Sequence, residues 1–163
     1  MIVRHARPGD RAAIALVNLA AFGRPGEGDL VERLRADGEA VVELVAEQDG
    51  EVVGHILFSR LWADSPELFV ALAPMSVRPG RQRAGVGSAL VARGLQTLKN
   101  LGAGGVIVVG HPAYYPRFGF TPQAAAAIRA PYSGSPAFMA LALSQGALDA
   151  PLTIAYPQAF GSA

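Results

Sequence analysis

The sequence predicts a single α/β (α+β) domain over residues 1–163, a mixed central sheet flanked by helices in the order β-αα-βββ-α-β-α-ββ. Three observations carry this. Val41–Glu47 and Glu51–Ser59 are β-rich and joined by Asp49-Gly50, a two-residue hairpin signal. Glu67–Val77 is a long apolar strand that runs into a Gly-rich turn and an amphipathic helix. The 163 residues are 51% hydrophobic and 17% charged, with no repeat or low-complexity linker, which suits one core of useful size. A hairpin beside strand–helix–strand connections makes the sheet mixed rather than purely parallel.

Each element has a local reason. Ile2–His5 is a short strand. Asp10, after Pro8-Gly9, is a good N-cap for a helix to about Phe22, with Ile14, Val17 and Ala21 on its buried face. Gly23–Gly28 breaks that helix, and Asp29 is expected to cap the next, where Leu30, Val31 and Leu34 form an apolar stripe. Gly38 ends it, and the hairpin follows. Leu61–Pro66 reads as a loop. Pro74 interrupts the third central strand, and a proline there implies a bulge or lost pairing because it has no N–H to donate. The helix from Gly87 carries Leu90, Val91, Leu95, Leu98 and Leu101 on one side. Val106–Val109 is a short buried strand, and His111–Phe120 a helical turn and loop. Ala125–Ala130 and Ala137–Leu143 read as two more strands, with another near Leu152–Ala155 in the tail.

Composition excludes several functions. The net charge of +1 gives no reason to expect a nucleic acid. The absence of cysteine removes disulfides, thiolate nucleophiles and thiolate-bound zinc. His5, His55 and His111 lack metal-ligand spacing, so no metal is expected. The N-terminus has no signal-peptide pattern, and no apolar run approaches the ~20 residues of a membrane span. A cytoplasmic protein without membrane contact is expected.

The chemistry is concentrated in Met75–Leu101. The turn Gln82-Arg83-Ala84-Gly85-Val86-Gly87 joins strand to helix, and its glycines let the backbone approach a ligand. The first N–H groups of the helix lack intrahelical partners and sit at the positive end of its dipole. Such a turn is suited to a phosphate or pyrophosphate, and Arg78, Arg81 and Arg83 add charge. The G-x-G-x-x-G and G-x-x-x-x-G-K-[ST] nucleotide patterns are both absent.

Two motifs in this context carry a family resemblance. Gln82-x-x-Gly85-x-Gly87 matches a Q/R-x-x-G-x-G/A turn, and Tyr115-x-x-x-Gly119-Phe120 matches a Y-x-x-x-G-F segment. On these residues the chain resembles the GNAT superfamily of acetyl-CoA-dependent N-acetyltransferases over roughly Ile2–Leu143. The resemblance implies a mostly antiparallel sheet. It implies a coenzyme A pyrophosphate held by backbone N–H groups of about Arg83, Ala84, Gly85, Val86 and Gly87, next to Gln82. It also implies a pantetheine arm lying along Met75, Ser76 and Val77 like an added strand. Ser88 is open to two roles, a hydroxyl for the phosphate or a simple cap.

The resemblance places Tyr115 where the family often has its general acid, since amine attack on a thioester expels a thiolate that a phenol can protonate. Tyr114 is expected to pack. Some members use a Glu on the strand before the turn as base, but Leu68–Val77 contains no acid. His111 is therefore the first candidate, since its ordinary pKa suits proton transfer. His55 and Glu27 are weaker candidates, and a water chain is a further route. Glu27 and Asp29 are also open to attracting a cationic amine, and Tyr132, Phe138 and Phe160 to lining a pocket or filling the core.

The expected activity is transfer of an acetyl group from acetyl-CoA to a primary amine, of a small molecule or peptide, by direct attack in a ternary complex. The alternative is a non-catalytic acyl-CoA-binding sensor or regulatory module on the same fold. The apolar tail is open to completing the sheet or joining a homodimer interface.

Overall fold

Alternating apolar residues build the sheet, and the two helical layers follow from which face each strand turns to them. In the computed structural model, which describes residues 1–161, the strands are β1 (Ile2–His5), β2 (Ala40–Gln48), β3 (Glu51–Ala63), β4 (Phe69–Val77), β5 (Gly105–Val109), β6 (Ile128–Arg129), β7 (Phe138–Ala142) and β8 (Leu152–Ala155). The last two residues of the expected 1–163 domain lie outside the described residues. The main sheet runs β1-β2-β3-β4-β5-β7. Its pairs are antiparallel except β4 with β5, and a small side arm pairs β8 with β3 and, in parallel, with β6. The expected mixed, mostly antiparallel sheet is what forms.

Helix α3 (Val86–Asn100) covers one face. Its Val86, Leu90, Val91 and Leu98 are buried with Val42, Leu44, Ile56, Phe58, Val70 and Leu72. Two glycines permit this contact. A Cβ on Gly54 would stand 2.8 Å from Val86 Cγ1, and one on Gly94 would stand 2.3 Å from Phe58 Cε2. The helix therefore lies against β3 more closely than any larger residue at either position allows. Leu101, expected on the buried side, is 60% exposed because the helix ends at Asn100 and the chain turns away.

Helices α1 (Arg11–Phe22) and α2 (Gly26–Ala36) cover the opposite face. Ile14, Val17, Val31 and Leu34 pack there on Val45, Val52 and Leu57. Further along this face Leu61, Phe69, Ala71, Ile107 and Phe138 form a second cluster, and Phe160 from the tail packs against both clusters.

Several boundaries differ from expectation. Asp10 stands at the N-cap position of α1, as expected, but it also closes a short 3-10 turn, Pro8–Asp10, and its side chain makes no cap bond to the helix. Its carboxylate instead accepts the Arg7 N–H at 2.7 Å and the Arg4 guanidinium at 2.8 and 3.0 Å. Asp29 sits inside α2, which starts at Gly26 after a turn made by left-handed Gly23 and Pro25. There Glu27 and Asp29 complement the helix dipole from its first turn. Leu61–Pro66 is not all loop, since β3 continues to Ala63 where Trp62 and Ala63 pair with β8. The stretch Ala125–Ala130 holds only β6, after a 3-10 turn at Gln123–Ala125, because a run of alanines has little strand preference. The tail strand lies where it was expected.

The feature that positions the site is a divergence in mid-sheet. β4 and β5 pair only over Phe69–Ala71 with Gly105–Ile107. Beyond Ala71, β4 stays with β3 through a bulge, where Ile56 pairs with Met75 and Phe58 with Leu72. Pro74 sits in that bulge, and the Ala73–Pro74 peptide is cis. The edge of Met75–Val77 that faces away from β3 thus has no neighbouring strand, and a groove opens between β4 and β5.

Candidate active site

At the end of that groove the chain makes the Gly-rich turn. Gly85 has φ +86° and stands at the N-cap of α3, with no side chain to cap the helix. A Cβ built on it would meet nothing within 4 Å, so the space in front of it is open. Arg83 is also left-handed at φ +62°. The first intrahelical bond runs from Ala89 N–H to the Gly85 carbonyl at 3.0 Å. Among the described residues, none of the backbone N–H groups from Gln82 to Ser88 has a protein acceptor. An exposed row of unpaired donors at a helix N-terminus is an anion-binding concavity. The residues present fit a pyrophosphate here.

The side chains around the turn divide into two kinds. Arg78 pairs with Glu51 at 2.9 Å, Arg81 donates to Gln48 Oε1 at 2.6 Å, and Gln82 Nε2 donates to the Val77 carbonyl at 3.1 Å. These three hold the turn onto β2, β3 and β4. Arg83 has no ion-pair or hydrogen-bond partner among the described residues, so its charge is available to a ligand.

Gly87 has a different reason for lacking a side chain. A Cβ there would lie 3.2 Å from the Tyr114 hydroxyl and 3.4 Å from Met75 Cε. The Tyr114 hydroxyl in turn lies 3.2 Å from Ser88 Oγ. Tyr114 therefore reaches from the segment after β5 to the start of α3, crossing the groove's α3 side. The sequence assigned Tyr114 to packing alone. The pairing with Ser88 is long-range, and no local spacing signals it.

Tyr115 is buried, 7% exposed, in the α3-side core. Its ring packs edge-on against Phe120 at 5.8 Å, and Gly110 leaves room for it, since a Cβ there would be 2.4 Å from Tyr115 Cε2. Burial pushes its phenol up to about 12, aided by the neighbouring Tyr114. It is a protonated donor throughout the neutral range. Ser76 is buried on β4, with its Oγ unpartnered, and pairs in register with His55.

The candidate bases are not gathered in one place. His111 is exposed, and what it contributes to the segment is its carbonyl, which accepts the N–H groups of Tyr114 and Tyr115 at 3.0 and 3.3 Å. His55 is fully buried under α1, with Nε2 on Glu43 and Nδ1 on Asn18. Glu27 is tied to Arg24 by hydrogen bonds of 2.7 to 3.3 Å. A cavity of about 280 Å³ lies between the α1–α2 turn and the tail, lined by Arg24, Gly26, Glu27, Leu30, Ala159 and Phe160. Of the aromatic candidates, Phe160 lines this cavity, Phe138 is core, and Tyr132 is exposed against Tyr156. Among the described residues there is no cluster of three or more His, Asp or Glu able to hold a metal, and no helix long and apolar enough to cross a membrane.

This architecture has relatives. Residues 14–120 match the model of the acetyltransferase (GNAT) family. The uncharacterized N-acetyltransferase YjhQ of Escherichia coli K12 is 42% identical over 121 residues, covering 71% of this chain and 66% of that protein. The uncharacterized N-acetyltransferase YhbS of the same strain is 34% identical over 152 residues, 91% of each chain. The crystal structure of YhbS in complex with CoA superposes with a TM-score of 0.90 at 32% identity, over 98% of this chain and 91% of that one. A GNAT family acetyltransferase from Brucella melitensis, in complex with acetyl-CoA, gives 0.80 at 36% identity over 98% and 97%. The chain belongs to the GNAT family of acetyltransferases and is an N-acetyltransferase.

Proposed function

We propose that the protein moves the acetyl group of acetyl-CoA to a primary amine by direct attack in a ternary complex. The observation that carries this reading is the row of unpaired N–H groups from Gln82 to Ser88 at the end of the unpaired Met75–Val77 edge. The two relatives of known structure named above hold CoA and acetyl-CoA, which supports the same ligand here. The turn takes the pyrophosphate, and the free backbone groups of Met75–Val77 take the pantetheine amides as an added strand would. The thioester then lies toward the divergence of β4 and β5.

Attack by the amine nitrogen forms the new amide bond and breaks the bond from carbonyl carbon to sulfur. Tyr115 supplies the proton to the departing thiolate, a role that suits a phenol protonated at neutral pH. The nitrogen's proton leaves to water or to His111 at the rim; among the three candidates, His111 alone has an exposed side chain free of a hydrogen-bond partner. The acceptor, a small molecule or peptide, enters from the α1/α2 face, where the cavity beside Leu30 and Phe160 offers an apolar lining with the Arg24–Glu27 ion pair at its rim.

Calorimetric titration with acetyl-CoA tests this, run beside Gly85→Asp. Aspartate tolerates the left-handed conformation better than most residues, so the fold should survive while its charge opposes the phosphates. Saturable binding by wild type that the folded variant lacks is expected. Equal binding by both would remove the turn from the site. Release of free CoA thiol across a panel of amines then identifies the acceptor.

A further inference from the structure

One guanidinium on the far wall of the groove is held in place with no acid to pair with. Arg117 lies over the Tyr114 ring, 4.3 Å from its centroid, and its Nε donates to the Tyr114 carbonyl at 2.9 Å. Both of its Nη groups are without a protein acceptor among the described residues. The Tyr114 ring spans from this guanidinium to Ser88 at the first turn of α3. Arg117 thus lies across Tyr114 from the first turn of α3, while on the turn side Arg78 and Arg81 are already occupied and Arg83 has no partner among the described residues.

A guanidinium on an aromatic face, with one edge fixed by a backbone carbonyl, keeps a rigid fork of donors pointing outward. That geometry suits bidentate contact with a phosphate, and little side-chain freedom is left to lose on binding. The groove has a phosphate to offer it, provided the coenzyme A reading above is right. The pyrophosphate is served by the backbone donors of the turn. Coenzyme A carries a third phosphate, on its ribose; of the two arginines here without an acidic partner among the described residues, Arg83 lies within the run of backbone donors that serves the pyrophosphate, and Arg117 stands apart from it with its fork fixed.

We infer that Arg117, held flat by Tyr114, is the residue that recognises the ribose 3′-phosphate of coenzyme A and so distinguishes coenzyme A from its 3′-dephospho form. Tyr114 is the positioning residue for that contact, and Ser88 fixes the ring from its other end.

The test is a set of calorimetric titrations of the full chain with coenzyme A and with 3′-dephospho-coenzyme A. The proteins are wild type, Arg117→Met, Arg117→Lys, and Arg93→Met as an exposed charge elsewhere on α3. Methionine keeps an apolar stem over Tyr114 and removes the charge together with the guanidinium donors, the one to the Tyr114 carbonyl included, and lysine returns the charge without the fork. Wild type should bind coenzyme A roughly tenfold tighter than the dephospho form, the scale of one charge-assisted contact at a partly exposed site. Arg117→Met should bind the two alike, with its affinity for the dephospho form unchanged; Arg117→Lys should recover part of the preference and Arg93→Met all of it. A preference that persists in Arg117→Met, or an equal loss on both ligands, would overturn the assignment while leaving the coenzyme A reading intact. A folded wild type that binds neither ligand would overturn that reading itself.

Discussion

His55 Nε2 lies 2.7 Å from Glu43 Oε2, with the imidazole wholly buried between β2, β3 and α1. Asn18 Nδ2, which also donates to the Ile14 carbonyl, meets His55 Nδ1 at 3.3 Å. A donor at Nδ1 and a carboxylate at Nε2 define one neutral tautomer, protonated at Nε2. Arg35 completes the cluster with bonds of 2.8 and 2.6 Å to Glu43, and Glu32 tethers Arg35 at 2.6 Å. Burial holds the His55 pKa below its ordinary value despite the Glu43 carboxylate. Burial alone would raise Glu43, but bonds from His55 and Arg35 outweigh it and bring it to about 2. The cluster ties α1 and α2 to the sheet, and both ring nitrogens of His55 are occupied by that structural role.

The sign of its pH dependence follows. Below an unfolded His pKa of about 6.5 the unfolded chain binds a proton that the native state excludes, so stability falls as pH drops. Urea titrations should show stability declining from about pH 7 toward 5, and His55→Gln should flatten that slope. At pH 7.5, His55→Leu should cost about 2 kcal/mol, since it leaves polar partners buried without their bond. An identical slope in wild type and His55→Gln would show that this imidazole is not excluded from protonation.

Asp10 gives a second, lower window. Hydrogen bonds from Arg4, backed by the Arg7 N–H, bring its pKa down to about 2 against burial. A depressed carboxylate contributes stability above its unfolded pKa and loses it as pH falls through the folded one. Asp10→Asn should therefore cost about 1 to 2 kcal/mol at pH 7, discounted for its place at the rim. The difference should shrink between about pH 4 and 2. A constant difference over that range would assign the loss to the neutral hydrogen bond from Arg7.

Gly94→Ala should reverse the usual helix rule. In an exposed helix, alanine for glycine gains about 1 kcal/mol. Here the added methyl would overlap the Phe58 ring, whose position is fixed by full burial, so a loss of about 1 to 3 kcal/mol is expected. Pairing it with Phe58→Leu should recover part of the loss. A melting temperature above wild type for Gly94→Ala would mean that α3 does not sit as closely as described.

Tyr115→Phe separates chemistry from binding. Removing the phenol proton should lower kcat on the order of 100-fold with the best acceptor found, with acetyl-CoA affinity unchanged within about threefold. Unchanged turnover would assign Tyr115 to the core and leave the thiolate to solvent.

What depends on neighbours along the chain is legible from residue order alone. The Asp49-Gly50 hairpin, the break at Pro74 and the turn ending in left-handed Gly85 all stand where short-range rules place them, because turn geometry and backbone φ are local properties. The two motifs that carried the family resemblance lie in such segments. Tertiary structure decided what depends on contacts far apart in sequence. It divided the adjacent Tyr114 and Tyr115 between the start of α3 and the buried core. It occupied Arg78 and Arg81 while leaving Arg83 in the same turn, and Arg117 after β5, without an acid, a distinction that residue spacing does not reveal. It also closed His55 into a buried pair with Glu43, twelve residues away on the next strand. Side-chain partners are fixed by strand register and helix docking, and those are set by burial of the whole apolar surface at once.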